Sequence, residues 1–141
     1  MTGPIFTGVG MALVTLFNAD GSLDAPASGA LAAKLVGLGV RAVIVAGSTG
    51  EAASLSPDER ADLLAAVRSA VDPARRVPVI AGTGAPSARQ AADLTRAARD
   101  GGADAVLVLS PPGSGDVRPY YATVVDAAGD LPVLAYHFPA V

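Results

Sequence analysis

Short apolar runs alternate along the chain with longer stretches in which apolar and polar positions recur at helical spacing. The short runs are apolar almost throughout, as strands buried on both faces of a sheet are. The predicted strands are residues 9–16, 40–46, 77–81, 105–109 and 133–136. The predicted helices are residues 25–38, 57–71, 88–100 and 117–128. Strand–helix units that repeat in this way predict an α/β fold with a parallel sheet and right-handed crossovers.

Two of the predicted helices begin with capping signals. Ser56-Pro57-Asp58-Glu59 combines an N-cap serine, a proline at the first helical position and an acid three residues after the cap. Ser87 and Gln90 repeat the same spacing before the third predicted helix. We therefore expect helices to begin directly after both serines.

Two architectures fit five parallel strands and four helices. One is a complete doubly wound sheet. The other is the first five strands of a (β/α)₈ TIM barrel, which normally needs about 250 residues. The sequence of 141 residues stops directly after the fifth predicted strand, where we expect a complete doubly wound domain to carry a further helix. In either case residues 1–141 are expected to belong to one domain.

Composition and charge exclude several classes of function. A net charge of −3 argues against a nucleic-acid or anionic-membrane surface. The absence of cysteine excludes disulfides, thiolate nucleophiles and cysteine zinc sites, and a single histidine excludes sites built from several histidines. No apolar run approaches the ~18 residues of a membrane span, and no secretory signal is visible. We expect a cytoplasmic protein without a metal or another cofactor.

Two places at the predicted carboxyl ends of strands carry candidate chemistry. Gly47-Ser48-Thr49-Gly50 follows the second strand and offers backbone N–H groups and two hydroxyls to a carboxylate or phosphate, or else forms a tight turn that caps a helix. Tyr136 ends the fifth strand and is either a proton carrier or a packed aromatic side chain. His137 points to the opposite face of that strand. Lys34, the single lysine, is expected on the surface of the first helix.

The sequence around the glycine turn resembles the signature of a known family. Gly47-Ser48-Thr49-Gly50-Glu51, followed by residues 55–60, is similar to the motif of the dihydrodipicolinate synthase / N-acetylneuraminate lyase family. Residues 12–24, 77–84 and 102–108 resemble the first, third and fourth strands of that family with their turns. Residues 131–136 and Pro139 resemble its fifth strand, so that the resemblance covers essentially the whole chain in order.

The resemblance implies a fold, an activity and a set of site residues. It implies a (β/α)₈ barrel, usually a homotetramer, that acts as a class I aldolase or lyase through a Schiff base between a lysine and pyruvate or another 2-keto acid. It makes Ser48 and Thr49, framed by Gly47 and Gly50, the binding site for the 2-keto acid carboxylate. It makes Tyr136 and Thr49 catalytic, with Tyr136 moving protons during imine formation and carbon–carbon bond chemistry.

The sequence departs from the family pattern in two places. The family's Schiff-base lysine lies on the sixth strand, beyond Val141, and Lys34 cannot replace it from the outer helical layer. Residues 1–141 alone are therefore expected to be inactive, and unstable as a monomer. Many members also carry a tyrosine pair after the fourth strand, where this chain has Pro112 and Gly113. That difference weakens an assignment to dihydrodipicolinate synthase itself and leaves other 2-keto acid aldolases or dehydratases open.

Two further hypotheses remain at this point. The chain could be a truncated half-barrel that serves as a non-catalytic interaction module. It could instead be a complete doubly wound domain that binds phosphate at residues 47–50.

Overall fold

Within the residues that the structure describes, five strands and four α-helices alternate, with a short 3₁₀ turn after the second strand. The computed structural model describes residues 3–71, 77–111, 113 and 115–138. The strands are β1 (Gly10–Ala12), β2 (Ala42–Val45), β3 (Val79–Gly82), β4 (Ala105–Leu109) and β5 (Val133–Tyr136). The helices are α1 (Ala25–Gly37), α2 (Pro57–Ala70), α3 (Ala88–Asp100) and α4 (Arg118–Ala128), and the 3₁₀ turn is Ala52–Ser54.

The strand order decides between the two architectures. Each strand pairs in parallel with the next one in sequence, giving the order β1-β2-β3-β4-β5. A doubly wound sheet reverses its strand order at a switch point, and the described strands contain no such reversal. The chain therefore has the strand order of a barrel, and the doubly wound hypothesis is wrong.

The two faces of the sheet are buried in different ways. One face packs against the helices and forms the main core, with Val43, Val79 and Val106 fully buried there. The other face buries Ala42, Ile80 and Ala105, against which Ile44, Leu107 and Leu134 pack. Since a closed barrel encloses this second face, we call it the inner face.

The predicted boundaries of most elements agree with the structure. The strands at 105–109 and 133–136 and the helix at 88–100 have the predicted bounds. The first strand is shorter than predicted, because its ladder ends with the Leu13 amide donating to the Ile44 carbonyl. Beyond that point the chain bonds to other elements, as when the Leu16 amide donates to Ser28 Oγ.

The capping signals behave as expected. The Glu59 amide donates to Ser56 Oγ, and the Ser56 amide donates to the Glu59 carboxylate, so that both bonds of a capping box are present. The Gln90 amide likewise donates to Ser87 Oγ.

None of the helices in the described ranges combines the length and apolar character that crossing a membrane requires.

One carboxylate, that of Asp104 directly before β4, links the amino ends of β3 and β4 to helix α2. Asp104 accepts hydrogen bonds from Arg68 of α2 and from the Val79 amide at 2.8 Å. This cluster fixes the edge of the sheet opposite to the candidate site and leaves the carboxyl edge to be shaped by loops.

Candidate functional site at the carboxyl edge of the sheet

The sheet brings the candidate residues to one edge. All strands run in parallel, so the loop after β2, the loops after β3 and β4, and the end of β5 share the carboxyl edge. Ser48 and Thr49 follow β2 and Tyr136 ends β5, three strand spacings or about 14 Å away along the sheet. That the hydroxyls and the phenol meet in one cavity remains a prediction.

The turn after β2 is held in an unusual backbone conformation. Ala46 and Glu51, which flank it, have φ angles of 52° and 56°. These values lie in the left-handed region that residues other than glycine rarely adopt. Inside the turn the Glu51 amide donates to the Ser48 carbonyl at 3.1 Å, and the Ala52 amide donates to the Gly47 carbonyl at 3.2 Å. These two hydrogen bonds close the turn between Gly47 and Ala52.

This turn leaves donors free. The amides of Ser48, Thr49 and Gly50 donate to no other described residue. The side chains of Ser48 and Thr49 are exposed. Three successive unpaired N–H groups beside two hydroxyls form a receptor suited to a carboxylate or phosphate.

The structure requires glycine at position 50. Thr15 Oγ1, which is buried, donates to the Gly50 carbonyl at 2.7 Å. A Cβ at Gly50 would lie 2.8 Å from the Leu13 carbonyl oxygen, so only glycine permits this approach to β1. The Gly50 carbonyl is thus occupied, and Thr15 anchors the turn rather than lining an open site.

The ends of β2 and β3 are in direct backbone contact. A Cβ at Gly82 would lie 2.2 Å from the Ala46 carbonyl oxygen and 3.0 Å from the Gly47 amide nitrogen. Gly84 is in a similar close approach, since a Cβ there would lie 2.8 Å from the Leu109 amide nitrogen. The turn after β2 therefore rests on the end of β3.

Arg60 spans the same junction from helix α2. Its guanidinium donates from Nη1 to the Gly82 carbonyl at 3.1 Å and from Nη2 to the Ala52 carbonyl at 2.5 Å. Burial of the group lowers the pKa of Arg60, but an arginine stays charged at any physiological pH. A small cavity of about 30 Å³ between α2 and α3 adjoins this side chain and is lined largely by alanine and leucine.

Tyr136 lies on the inner face. Side chains alternate along a strand, so Tyr136 shares the face of Leu134, which packs in the inner cluster. Tyr136 is 42% exposed, and its ring centroid lies 6.5 Å from that of Phe138. His137 is exposed and follows on the opposite face, and Lys34 is exposed on α1.

Two tyrosines of α4 hold the neighbouring loops through their hydroxyl groups. The Tyr120 hydroxyl donates to the Ala85 carbonyl at 2.9 Å and accepts from the Ala85 amide. Burial raises the pKa of Tyr120. The Tyr121 hydroxyl donates to the Val108 carbonyl at 2.8 Å and lies 3.0 Å from Ser110 Oγ. The loops after β3 and β4 are therefore fixed from the helical layer.

Two features of this site are not predicted from the sequence: the role of Arg60 and the anchoring of the turn by Thr15. The sequence carries no signal for the role of Arg60, because the partners of its guanidinium are backbone carbonyls. Pro112, Ser114 and Pro139 lie outside the described residues. Among the residues described, no three His, Cys, Asp or Glu side chains come together as a metal-binding group.

Comparison with known proteins identifies relatives along nearly the whole chain. A 4-hydroxy-tetrahydrodipicolinate synthase of Synechococcus sp. (strain WH7803) is 41% identical over 132 residues, which are 91% of this chain and 43% of that protein. Among solved structures, dihydrodipicolinate synthase from Cyanidioschyzon merolae with lysine bound matches with a TM-score of 0.90 at 35% identity, over 96% of this chain and 47% of that one.

A second solved structure is similar to the same extent. YagE of Escherichia coli K12, a prophage protein in complex with pyruvate, matches with a TM-score of 0.86 at 36% identity, over 96% of this chain and 46% of that one. The chain thus spans less than half the length of these relatives. The model of the dihydrodipicolinate synthetase family matches residues 5–141, and the chain belongs to that family.

Proposed function

We propose that this chain supplies the carboxylate site and the proton-carrying tyrosine of a lyase that acts on pyruvate or a related 2-keto acid through a lysine Schiff base. One observation carries the proposal. The turn after β2 presents three successive unpaired N–H groups and two exposed hydroxyls at the carboxyl edge of a barrel sheet. Membership of the family and the pyruvate complex of YagE support the choice of a 2-keto acid over a phosphate.

Each site residue has a part in the proposed reaction. The N–H groups of Ser48, Thr49 and Gly50 and the hydroxyls of the first two residues hold the carboxylate of the 2-keto acid. This fixes the neighbouring carbonyl carbon for attack by an amine, because binding converts an intermolecular step into an oriented one. The Tyr136 phenol donates a proton to the hydroxyl that leaves as water when the imine forms, and accepts one when the imine is hydrolysed.

The amine is not among these residues. Lys34 is the single lysine of the sequence. It is exposed in the last turn of α1, away from the carboxyl ends of the strands. A Schiff-base lysine needs a desolvated pocket, so we propose that it is provided by a segment other than residues 1–141. The inactivity of residues 1–141 alone, the single-domain assignment, the homotetramer and the cytoplasmic location remain predictions.

Borohydride trapping tests the proposal. The translation product of the whole gene is incubated with pyruvate and reduced, and its mass is measured by mass spectrometry. We expect a covalent pyruvate adduct, and none from a preparation of residues 1–141. Thr49→Val should raise the pyruvate concentration needed for half-maximal trapping, and Tyr136→Phe should slow trapping about 100-fold.

A matched control separates the site from the fold. Thr123 is an exposed threonine of α4 whose hydroxyl donates to the Pro119 carbonyl, and Thr123→Val should leave trapping unchanged. If the whole product folds but forms no adduct, the lyase proposal fails. The non-catalytic half-barrel would then be the better description.

A further inference from the structure

Arg60 makes two bonds that join the turn after β2 to the end of β3. The Ala52 carbonyl that accepts from Nη2 belongs to the residue whose amide closes the turn by donating to Gly47. The Gly82 carbonyl that accepts from Nη1 belongs to the residue in backbone contact with Ala46. A single side chain thus bonds to the closing residue of the turn and to the strand on which the turn rests.

The charge of Arg60 is directed to these carbonyls and not to an acid. Within the described residues no carboxylate lies within the 4.0 Å of an ion pair with Arg60, whereas Arg68, two turns further along α2, is paired with Asp104. Hydrogen bonds from a charged donor are roughly twice as strong as those between neutral groups. The Arg60 guanidinium is therefore placed to hold a turn whose flanking residues occupy the unfavourable left-handed region.

We propose that Arg60 is a positioning residue for the carboxylate site: it holds residues 47–52 in the conformation that leaves the three amides unpaired. This inference rests on the proposed function for the identity of the ligand. Arg60 itself does not touch the substrate. Loss of its bonds leaves the Ala52 carbonyl with the Leu55 amide as its remaining donor and lets the turn relax, which weakens 2-keto acid binding without removing any group that reacts.

Amide hydrogen exchange tests the positioning role without reference to activity. In the translation product of the whole gene carrying Arg60→Met, we expect the Glu51 and Ala52 amides to exchange about tenfold faster, because local opening sets the exchange rate. Amides in the centre of α2 should keep their rates. Arg68→Met is the matched control: it removes a guanidinium from the same helix but acts at the opposite edge of the sheet, and it should leave the turn unchanged.

Substrate affinity provides the second readout. Arg60→Met should raise the half-saturating pyruvate concentration in borohydride trapping about tenfold, the value of one charged hydrogen bond, with the limiting rate nearly unchanged. Arg60→Lys, which can reach one carbonyl at a time, should recover part of the loss. In Arg60→Ala, millimolar guanidinium should restore affinity where the same concentration of sodium chloride does not.

The outcomes separate this inference from the proposed function. If the unsubstituted protein traps no pyruvate, the proposed function is overturned, and exchange at Glu51 and Ala52 still decides whether Arg60 holds the turn. If trapping occurs but Arg60→Met changes neither the exchange rates nor the half-saturating concentration, the inference is overturned. Faster exchange spread evenly over α2 and β3 in both Arg60→Lys and Arg60→Met would also overturn it, because Arg60 would then be a general stabilising residue.

Discussion

Replacing Gly82 by alanine tests the contact between β2 and β3 most directly. The new Cβ would lie 2.2 Å from the Ala46 carbonyl oxygen and 2.7 Å from its carbonyl carbon. Ordinary contact begins at 3.4 Å, so the two strand ends must separate by about 1.2 Å, the difference between 3.4 and 2.2. Both atoms belong to backbone, so no side chain can rotate away to make room.

The expected cost follows from overpacking and from a lost hydrogen bond. Overpacking of a well-packed interior costs about 1–3 kcal/mol. Moving the Gly82 carbonyl also weakens its bond to Arg60, which adds about 1 kcal/mol. We therefore expect Gly82→Ala to lower the free energy of unfolding by about 3 kcal/mol. For a domain of about 150–250 residues, this loss lowers Tm by about 6–12 °C.

Thermal unfolding followed by circular dichroism measures this effect, with Gly37→Ala as the matched control. Gly37 is the last residue of α1, and a Cβ there would meet nothing within 4 Å. That substitution should leave Tm unchanged or raise it slightly, because alanine is the better helix former. If Gly82→Ala unfolds at the Tm of Gly37→Ala, the close contact between the strand ends is refuted.

Three further substitutions have defined outcomes. The Ser56 amide holds the pKa of Glu59 below its ordinary 4.5, so the bond stabilises above that pH and is lost as the pH falls through the folded pKa. Glu59→Gln should therefore lower Tm at neutral pH and match the unsubstituted protein in acid, as a pH series of thermal melts would show. Thr15→Val leaves the buried Gly50 carbonyl without its donor and should cost about 1–2 kcal/mol in urea unfolding, with Thr15→Ser restoring most of it. Asp104→Ala should cost about 1–2 kcal/mol in the same assay and Asp104→Asn less, because asparagine still accepts from the half-buried amide that begins β3.

Local signals predicted the elements well because each boundary depends on nearby residues. The capping box at Ser56 and Glu59 and the helix beginning after Ser87 involve contacts three residues apart, which the sequence displays directly. The strand order could not be predicted from periodicity, since barrel and doubly wound sheets bury their strands equally. It took the family resemblance, or the whole strand order β1-β2-β3-β4-β5, to choose the barrel.

The candidate residues lie at the edge that the sequence predicts, but the contacts that support them were not predicted. Ser48, Thr49 and Tyr136 lie at the expected edge because parallel strands place their carboxyl ends together. The left-handed backbone at Ala46 and Glu51 could not be predicted, because neither residue type favours that region and tertiary contacts impose it. Arg60 was missed for a similar reason: its partners are backbone carbonyls 8 and 22 residues away, which carry no sequence signal.

The supporting contacts also explain why this edge favours an anion. The Gly47 and Ser48 carbonyls accept from amides within the turn, the Gly50 carbonyl accepts from Thr15, and the Ala52 carbonyl accepts from Arg60. Four acceptors are thereby satisfied by the protein itself, while three successive donors of the same turn are not. A carboxylate would meet these N–H groups in a closed turn whose carbonyls are largely occupied. Thr15 and Arg60, behind the turn, thus favour the proposed carboxylate ligand, although Ser48 and Thr49 carry no charge themselves.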